Sequence, residues 1–142
     1  MKLFQYGCSV SLGEEATTCY GKLLANKHGI EFVQRSESSA SNPWIALHFV
    51  ETCEDITPED VIIFGWSHPN RQSWYNRHQQ RWEHINYIQG KKDGSALVDS
   101  VKDYLVHQYA REGYVEQLHD WYPKHIVEST CMNKGLRWMH VD

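Results

Sequence analysis

The sequence predicts a small α/β domain with about four parallel strands in the order 2-1-3-4, in a three-layer, flavodoxin-like arrangement with helices on both faces. Two observations lead to this prediction. Short apolar segments alternate with segments of helical periodicity, and the run at residues 60–66 is apolar enough for a strand buried on both faces. The chain has 142 residues, the length of one domain, so residues 1–142 are assigned to a single domain.

The first half of the chain alternates strands and helices. Its predicted elements are a strand at 2–6, a turn at 7–13, a helix at 16–28, a strand at 30–34, a serine-rich loop at 35–42, a helix from 43 to about 50 and the buried strand at 60–66. Ser41 or Asn42 can cap the second helix, because Pro43 suits the first position of a helix.

The second half is harder to assign. Its predicted elements are an exposed turn at 90–94, a helix at 95–111, a helix at 114–133 bent or broken at Pro123, and a last strand at 136–141. Residues 67–94 are polar and rich in aromatic, histidine and arginine residues, and their periodicity favours no element.

Composition and charge exclude several classes of function. The net charge is −4, which disfavours a nucleic-acid partner. No apolar run reaches the roughly 20 residues that span a bilayer, so no membrane association is expected. The apolar stretch at the start of the chain is too short for a secretory signal, because polar residues follow within a few positions. The four cysteines form no C-x-x-C pair. A cytoplasmic protein with free thiols and no cofactor is therefore expected.

Three polar segments follow the first three strands, and they are 7–13, 38–42 and 65–71. The carboxyl ends of parallel strands meet at one edge of a sheet, and open α/β sheets place their sites there. Ser9 lies in the tight strand-to-helix turn, which exposes its hydroxyl near backbone N–H groups that favour negative charge. Ser9 is therefore the candidate nucleophile, although a serine in this position is equally typical of a simple helix cap.

The segment 7–13 (GCSVSLG) resembles the nucleophile block of the SGNH/GDSL-type hydrolases, with Cys8 where that family has an aspartate. The loop after the second strand resembles the family's second block, with Ser38 or Ser39 in place of a glycine that binds the oxyanion. The segment 65–71 resembles its third block, with Ser67 and His68 in place of asparagine and aspartate. The resemblance covers residues 2 to about 75 and is closest to short, divergent members of the kind phages encode.

The resemblance implies a serine esterase or deacetylase that acts on a small-molecule or carbohydrate ester. The expected oxyanion and substrate ligands are Ser39, Asn42, Ser67, Asn70 and Arg71. Arg71 would hold an anionic group of the substrate.

The sequence leaves open which residue is the general base that activates Ser9. The family carries an Asp-x-x-His pair after its last strand, and here Met139-His140-Val141-Asp142 stands where that loop begins. The candidate bases are His140 with Asp142, or His68, and a partner chain is a further source of a histidine.

Other interpretations stay open. The same cleft can bind a ligand without turnover, and the loop at 7–13 can hold a phosphate or nucleotide. Basic and aromatic residues interleave over 71–82, which suits single-stranded nucleic acid or a lid over the neighbouring loop. The nine histidines lack metal-ligand spacing, so no metal site is predicted. Trp121, Tyr122 and Trp138 suit either the core or the interface of a homodimer.

Overall fold

A computed structural model describes residues 1–13, 17–69, 71–86 and 117–141. The strands are β1 (Lys2–Gly7), β2 (Glu31–Gln34), β3 (Val61–Gly65), β4 (Arg71–Asn76), β5 (Arg81–Asn86) and β6 (Arg137–Val141). The helices are α1 (Ser9–Leu12), α2 (Tyr20–His28), α3 (Asn42–Thr52) and α4 (Tyr122–Lys134). A 3₁₀ turn follows α3 at Cys53–Asp55, and a π-helical turn, Gln117–Trp121, leads into α4.

The central sheet has four parallel strands in the order β2-β1-β3-β6. This confirms the predicted order 2-1-3-4, with β6 as the predicted fourth strand. The β1 and β3 strands are in register from Leu3↔Val61 to Gly7↔Gly65, so both end at the same level. The ends of β1, β2 and β3, at Gly7, Gln34 and Gly65, define what is called here the carboxyl edge.

Helices cover both faces of this sheet because successive strand residues alternate between faces. On one face, Leu3 and Ile63 pack with Ala25 of α2. The other face carries the larger core, in which Phe4, Tyr6, Ile62 and Phe64 of the sheet meet Ile45 and Phe49 of α3 and Val127 and Cys131 of α4. The result is a three-layer α/β fold.

The start of α3 sets the position of the loop that follows β2. Ser41 is its N-cap, and the Ser41 Oγ accepts a hydrogen bond of 3.4 Å from the Trp44 N–H. Of the two predicted caps, Ser41 is therefore the one used, and Pro43 lies in the first turn. This leaves the Asn42 side chain available for other contacts.

The largest difference from the sequence prediction lies between β3 and α4. Residues 71–86, for which no element was predicted, contain an antiparallel hairpin in which β4 pairs with β5 from Arg71↔Asn86 to Asn76↔Arg81. Its side chains alternate between faces, but polar residues stand on both, so no apolar period of two marks it in the sequence.

The remaining predictions are met in part. The helix predicted at 16–28 begins at Tyr20, after a short α1 that the sequence did not indicate. The helix predicted at 114–133 changes geometry just before Pro123, as expected for proline. The turn at 90–94 and the helix at 95–111 lie outside the described residues. In the described segments, no helix combines the length and apolarity that crossing a bilayer requires.

Candidate functional site

The carboxyl edge brings two of the predicted site residues to equivalent places. Ser9 lies two residues beyond Gly7, Ser67 lies two residues beyond Gly65, and the two glycines are register partners in neighbouring strands. The β6 strand ends at the same edge, where the Trp66 N–H donates a 2.9 Å hydrogen bond to the Val141 carbonyl. The loops after β1 and β3 therefore form adjoining walls of one site.

Ser9 contacts Arg71, the arginine among the predicted site residues. Both terminal nitrogens of the Arg71 guanidinium lie 3.5 Å from the Ser9 Oγ and donate to it. The Ser9 side chain is half-buried, so its hydroxyl is accessible from one side. A guanidinium stabilises negative charge on a nearby oxygen, whether this oxygen belongs to the serine, to a tetrahedral intermediate or to an anionic substrate.

Asn42 lies under the loop that follows β3. Its Oδ1 accepts a 2.7 Å hydrogen bond from the Ser67 N–H, and the Asn42 side chain is 1% exposed. This contact joins the start of α3 to the third loop. It also fixes the orientation of the amide, since the oxygen faces Ser67 and the Nδ2 is turned away from that bond.

Three buried donor atoms at this edge have no hydrogen-bond partner among the described residues: Asn42 Nδ2, Ser67 Oγ and Arg71 Nε. Amide, hydroxyl and guanidinium N–H or O–H groups all suit an anion. A buried polar group without a partner costs about 1–3 kcal/mol, so such a group is usually kept for a ligand or a water. These three atoms are therefore donors whose hydrogen-bonding capacity is unused among the described residues.

Ser39 occupies an unusual backbone conformation. Its φ is +59°, in the left-handed region that glycine adopts most readily, and the Ala40 N–H closes the turn on the Glu37 carbonyl at 3.3 Å. Of the two serines Ser38 and Ser39, only Ser39 has this glycine-like backbone conformation.

We expect Ser39→Gly to raise the free energy of unfolding by about 0.5–1 kcal/mol, because glycine relieves the positive φ at no steric cost. Urea unfolding monitored by tryptophan fluorescence measures the change. Ser38→Gly is the matched control, since its φ is not positive, and it should lower the stability. Equal effects of the two substitutions would contradict this prediction.

The two candidate histidines have different surroundings. His68 is exposed on the loop after β3, and its carbonyl accepts a 3.1 Å hydrogen bond from the Arg71 N–H in a tight turn. His140 lies on β6, where its Nδ1 accepts a 2.9 Å hydrogen bond from the Trp66 indole and its Nε2 lies 3.0 Å from Glu128 Oε1. An indole N–H only donates, so the His140 Nδ1 is the acceptor of this bond and Nε2 is the nitrogen that faces Glu128.

Both ring nitrogens of His140 are therefore engaged away from Ser9. Its predicted role as a base stays a prediction, and it requires an exchange of these contacts. Asp142 and Asn70, the other predicted members of the site, lie outside the described residues.

The structure also joins residues that the sequence did not connect. Ser73 of β4 and His84 of β5 form a hydrogen-bonded group with Ser41, and His84 Nε2 lies at an ion-pair distance from Glu37 of the loop after β2. Beside it, a cavity of about 480 Å³ is lined by Gln34, Arg35, Ser36, Glu37, Trp44, His48 and Thr52. Ser73 and His84 are register partners across the hairpin, so only its pairing brings them together.

Metal and thiol chemistry find little support in the described part of the chain. It contains no group of three or more histidine, cysteine, aspartate or glutamate residues that could hold a metal ion. The four cysteines are free and buried, and burial raises the pKa of the Cys131 thiol to about 12. Such a thiol is protonated at neutral pH and therefore unreactive.

Comparison with known proteins identifies no relative: no family model, no curated protein and no solved structure matches this chain.

Proposed function

We propose that the protein is a serine hydrolase of the SGNH-like type, acting as an esterase or deacetylase, with Ser9 as its nucleophile. In this reaction, Ser9 Oγ attacks the carbonyl carbon of an ester and its proton passes to a base. The carbonyl oxygen becomes an oxyanion, the alcohol leaves with the proton, and water then hydrolyses the acyl-enzyme.

The observation that carries the proposal is the set of unpartnered donors at the carboxyl edge. Asn42 Nδ2 and Ser67 Oγ are buried without a hydrogen-bond partner among the described residues. Ser67 lies in the loop after β3, next to the loop that carries Ser9, and Asn42 of α3 is bonded to the Ser67 N–H. Donors that are held in place before reaction and left unsatisfied are what a developing oxyanion requires. Asn42 is the stronger of the two, because its amide is fixed through the 2.7 Å bond from Ser67.

Arg71 supports a preference for acidic substrates. Its guanidinium already lies against Ser9 Oγ, and its buried Nε has no partner among the described residues. A carboxylate or phosphate next to the ester group would pair with this cation and place the carbonyl carbon near Ser9. A carbohydrate or small-molecule ester with such a group is the proposed substrate class.

His68 is the preferred base within this proposal. It shares a tight turn with Arg71, whose side chain reaches Ser9, and the residue is exposed on the loop after β3. His140 is disfavoured because Trp66 and Glu128 occupy its ring nitrogens. His68→Gln is therefore expected to lower the reactivity of Ser9 far more than His140→Gln.

The test is labelling with a fluorophosphonate probe, followed by intact-mass and peptide analysis. We expect one probe per wild-type chain, attached to Ser9, and no label at that peptide in Ser9→Ala, because the probe reacts only with an activated serine. Ser129→Ala, a change of the same kind on α4, is the matched control and should label like the wild type.

A folded wild-type protein that takes no label would reject the hydrolase. A second function would then be favoured by a specific observation, namely that the described partner of Ser9 is the cation Arg71. In that case the same site binds an anion without turnover, and Ser9→Ala would retain binding of a carboxylate or phosphate ligand that Arg71→Gln loses.

A further inference from the structure

A chain of polar contacts runs from the start of α3, through the hairpin, to the loop that follows β2. It consists of Ser41, Ser73, His84 and Glu37 and is called here the serine–histidine chain. Ser41 Oγ lies 2.7 Å from Ser73 Oγ, and Ser73 Oγ lies 2.6 Å from His84 Nδ1. His84 Nε2 lies 3.2 Å from Glu37 Oε1. The His84 side chain is only 7% exposed, so this chain is shielded from solvent at its centre.

The hydrogen bonds from Ser41 through Ser73 to His84 all have the same direction from donor to acceptor. Ser73 Oγ accepts from the Ser41 hydroxyl and, at 3.2 Å, from the Ser41 N–H. Both contacts use lone pairs of Ser73, so its own proton is donated to His84 Nδ1. His84 Nδ1 therefore accepts, which places the proton of the neutral ring on Nε2. The Nε2 lies 3.2 Å from Glu37 Oε1, at an ion-pair distance but without hydrogen-bond geometry.

The strand that contains Ser73, β4, also contains Arg71, whose guanidinium contacts Ser9. Arg71 and Ser73 are two residues apart on β4, so their side chains project from the same face of the hairpin. Ser73 pairs with His84 across the hairpin, and the His84 ring packs edge-on against Trp44 of α3, with ring centroids 5.2 Å apart. A hairpin of two strands is marginally stable alone, so these contacts with α3 decide where its end lies.

We infer that Ser73 and His84 are positioning residues: through the serine–histidine chain they dock the hairpin on α3 and thereby hold Arg71 against Ser9. The inference rests on the proposed function, because it assigns these residues a part in preparing the Ser9 site. Neither residue touches Ser9 in the described contacts, and each acts through Arg71.

The arrangement also predicts a dependence on protonation. A proton added at His84 Nδ1 would turn this nitrogen into a donor, and Ser73 Oγ would then face three donors. The charged groups that face His84 among the described residues are Glu37, which favours the protonated ring, and Arg71, which opposes it. Burial dominates and lowers the pKa of His84 below its usual value of 6.5.

The first test is an imidazole ¹⁵N NMR spectrum of the full chain, titrated between pH 8 and pH 5. We expect His84 to show an unprotonated Nδ1 and a protonated Nε2, and to titrate below pH 6.5. Above that pH the docked arrangement is fully present, and it is lost as the pH falls through the lowered pKa of His84. The opposite tautomer, or a protonated ring at pH 7, would overturn the inference.

The second test compares Ser73→Ala with Ser73→Thr, which keeps the hydroxyl and suits a strand. Two readouts are used: the NMR signal of the Arg71 Nε–H, and the second-order rate of fluorophosphonate labelling at Ser9. Ser73→Ala should shift or broaden the Arg71 signal and lower the rate about 10- to 100-fold, the loss that a small misplacement causes. Ser73→Thr should restore both.

Gln72→Ala is the matched control, because Gln72 is the next residue of β4, projects from the other face and contacts His119 instead. It should leave the Arg71 signal and the labelling rate unchanged. An Arg71 signal that is identical in the wild type and Ser73→Ala would overturn the positioning role. A wild type that takes no label rejects the hydrolase alone, and the Arg71 signal then still decides whether the chain positions Arg71.

Discussion

Asn42→Ala is expected to lower the rate of fluorophosphonate labelling at Ser9 about 100-fold or more. Its Nδ2 is a buried donor without a described partner, and removal of one oxyanion donor typically costs 10²–10³ in rate. The substitution also removes the acceptor of the Ser67 N–H, so we expect a loss of about 1–3 kcal/mol in the free energy of unfolding. The rate is measured at a temperature where the variant remains folded.

Tyr6→Phe is the control that separates the loss of the Asn42 donor from the loss of folding stability. The Tyr6 hydroxyl lies 2.8 Å from the Arg35 guanidinium and 2.9 Å from Thr52 Oγ1, and it makes no described contact with Ser9, Asn42 or Ser67. Its removal disrupts a partly buried polar network and should cost a comparable amount of stability. The labelling rate should nevertheless stay at the wild-type value. Equal losses of rate in the two variants would show that instability, and not the Asn42 donor, limits the reaction.

The order of the sheet could be predicted because short strand segments alternate with helical segments and one strand has a strong local signal. The run at 61–66 has no polar side chain, since β3 lies between two neighbours and under helices on both faces. With β3 central and right-handed crossovers, few orders are open to four strands. The start of α3 was equally readable, because serine before asparagine and proline is a strong capping signal.

The hairpin could not be predicted for a physical reason. Ser73 and His84 are polar residues buried by contacts with Ser41 and Glu37, which are distant in the sequence. A pattern of apolar residues reports burial only where burial is driven by apolar surface, and here hydrogen bonds compensate for it. The pairing register that creates the serine–histidine chain has no signature in spacing.

The placement of Ser9 and Ser67 could be predicted, because both closely follow strands of the parallel sheet and such residues meet at the carboxyl edge whatever their roles. Their roles in a site stay predictions. The contact between Arg71 and Ser9 was not predicted, because it depends on the hairpin. The identity of the base could not be derived for the same reason: it is set by side-chain geometry and not by chain order.

Gly7→Ala is expected to lower the free energy of unfolding by about 3 kcal/mol, near the upper end for an overpacked site. An added Cβ would lie 2.0 Å from Ser11 Oγ and 2.7 Å from the Gly65 carbonyl oxygen. The Ser11 side chain is 1% exposed and hydrogen-bonded to Tyr20, so it has little room to move. The Gly65 carbonyl is fixed by its strand. Urea unfolding or a melting curve gives the change directly.

Gly29→Ala is the control for the general cost of replacing glycine. Gly29 has a φ of +65°, and an added Cβ would meet nothing within 4 Å, so only backbone strain of about 1 kcal/mol is expected. A Gly7→Ala variant as stable as Gly29→Ala would show that Ser11 and the end of β3 can move away from β1. The expected larger loss would mean that Gly7 is required by the close approach of Ser11 and Gly65, whatever the chemistry. The presence of Gly7 would then carry no information about catalysis, and the case for the proposed activity would depend on Ser9, its base and the donors Asn42, Ser67 and Arg71.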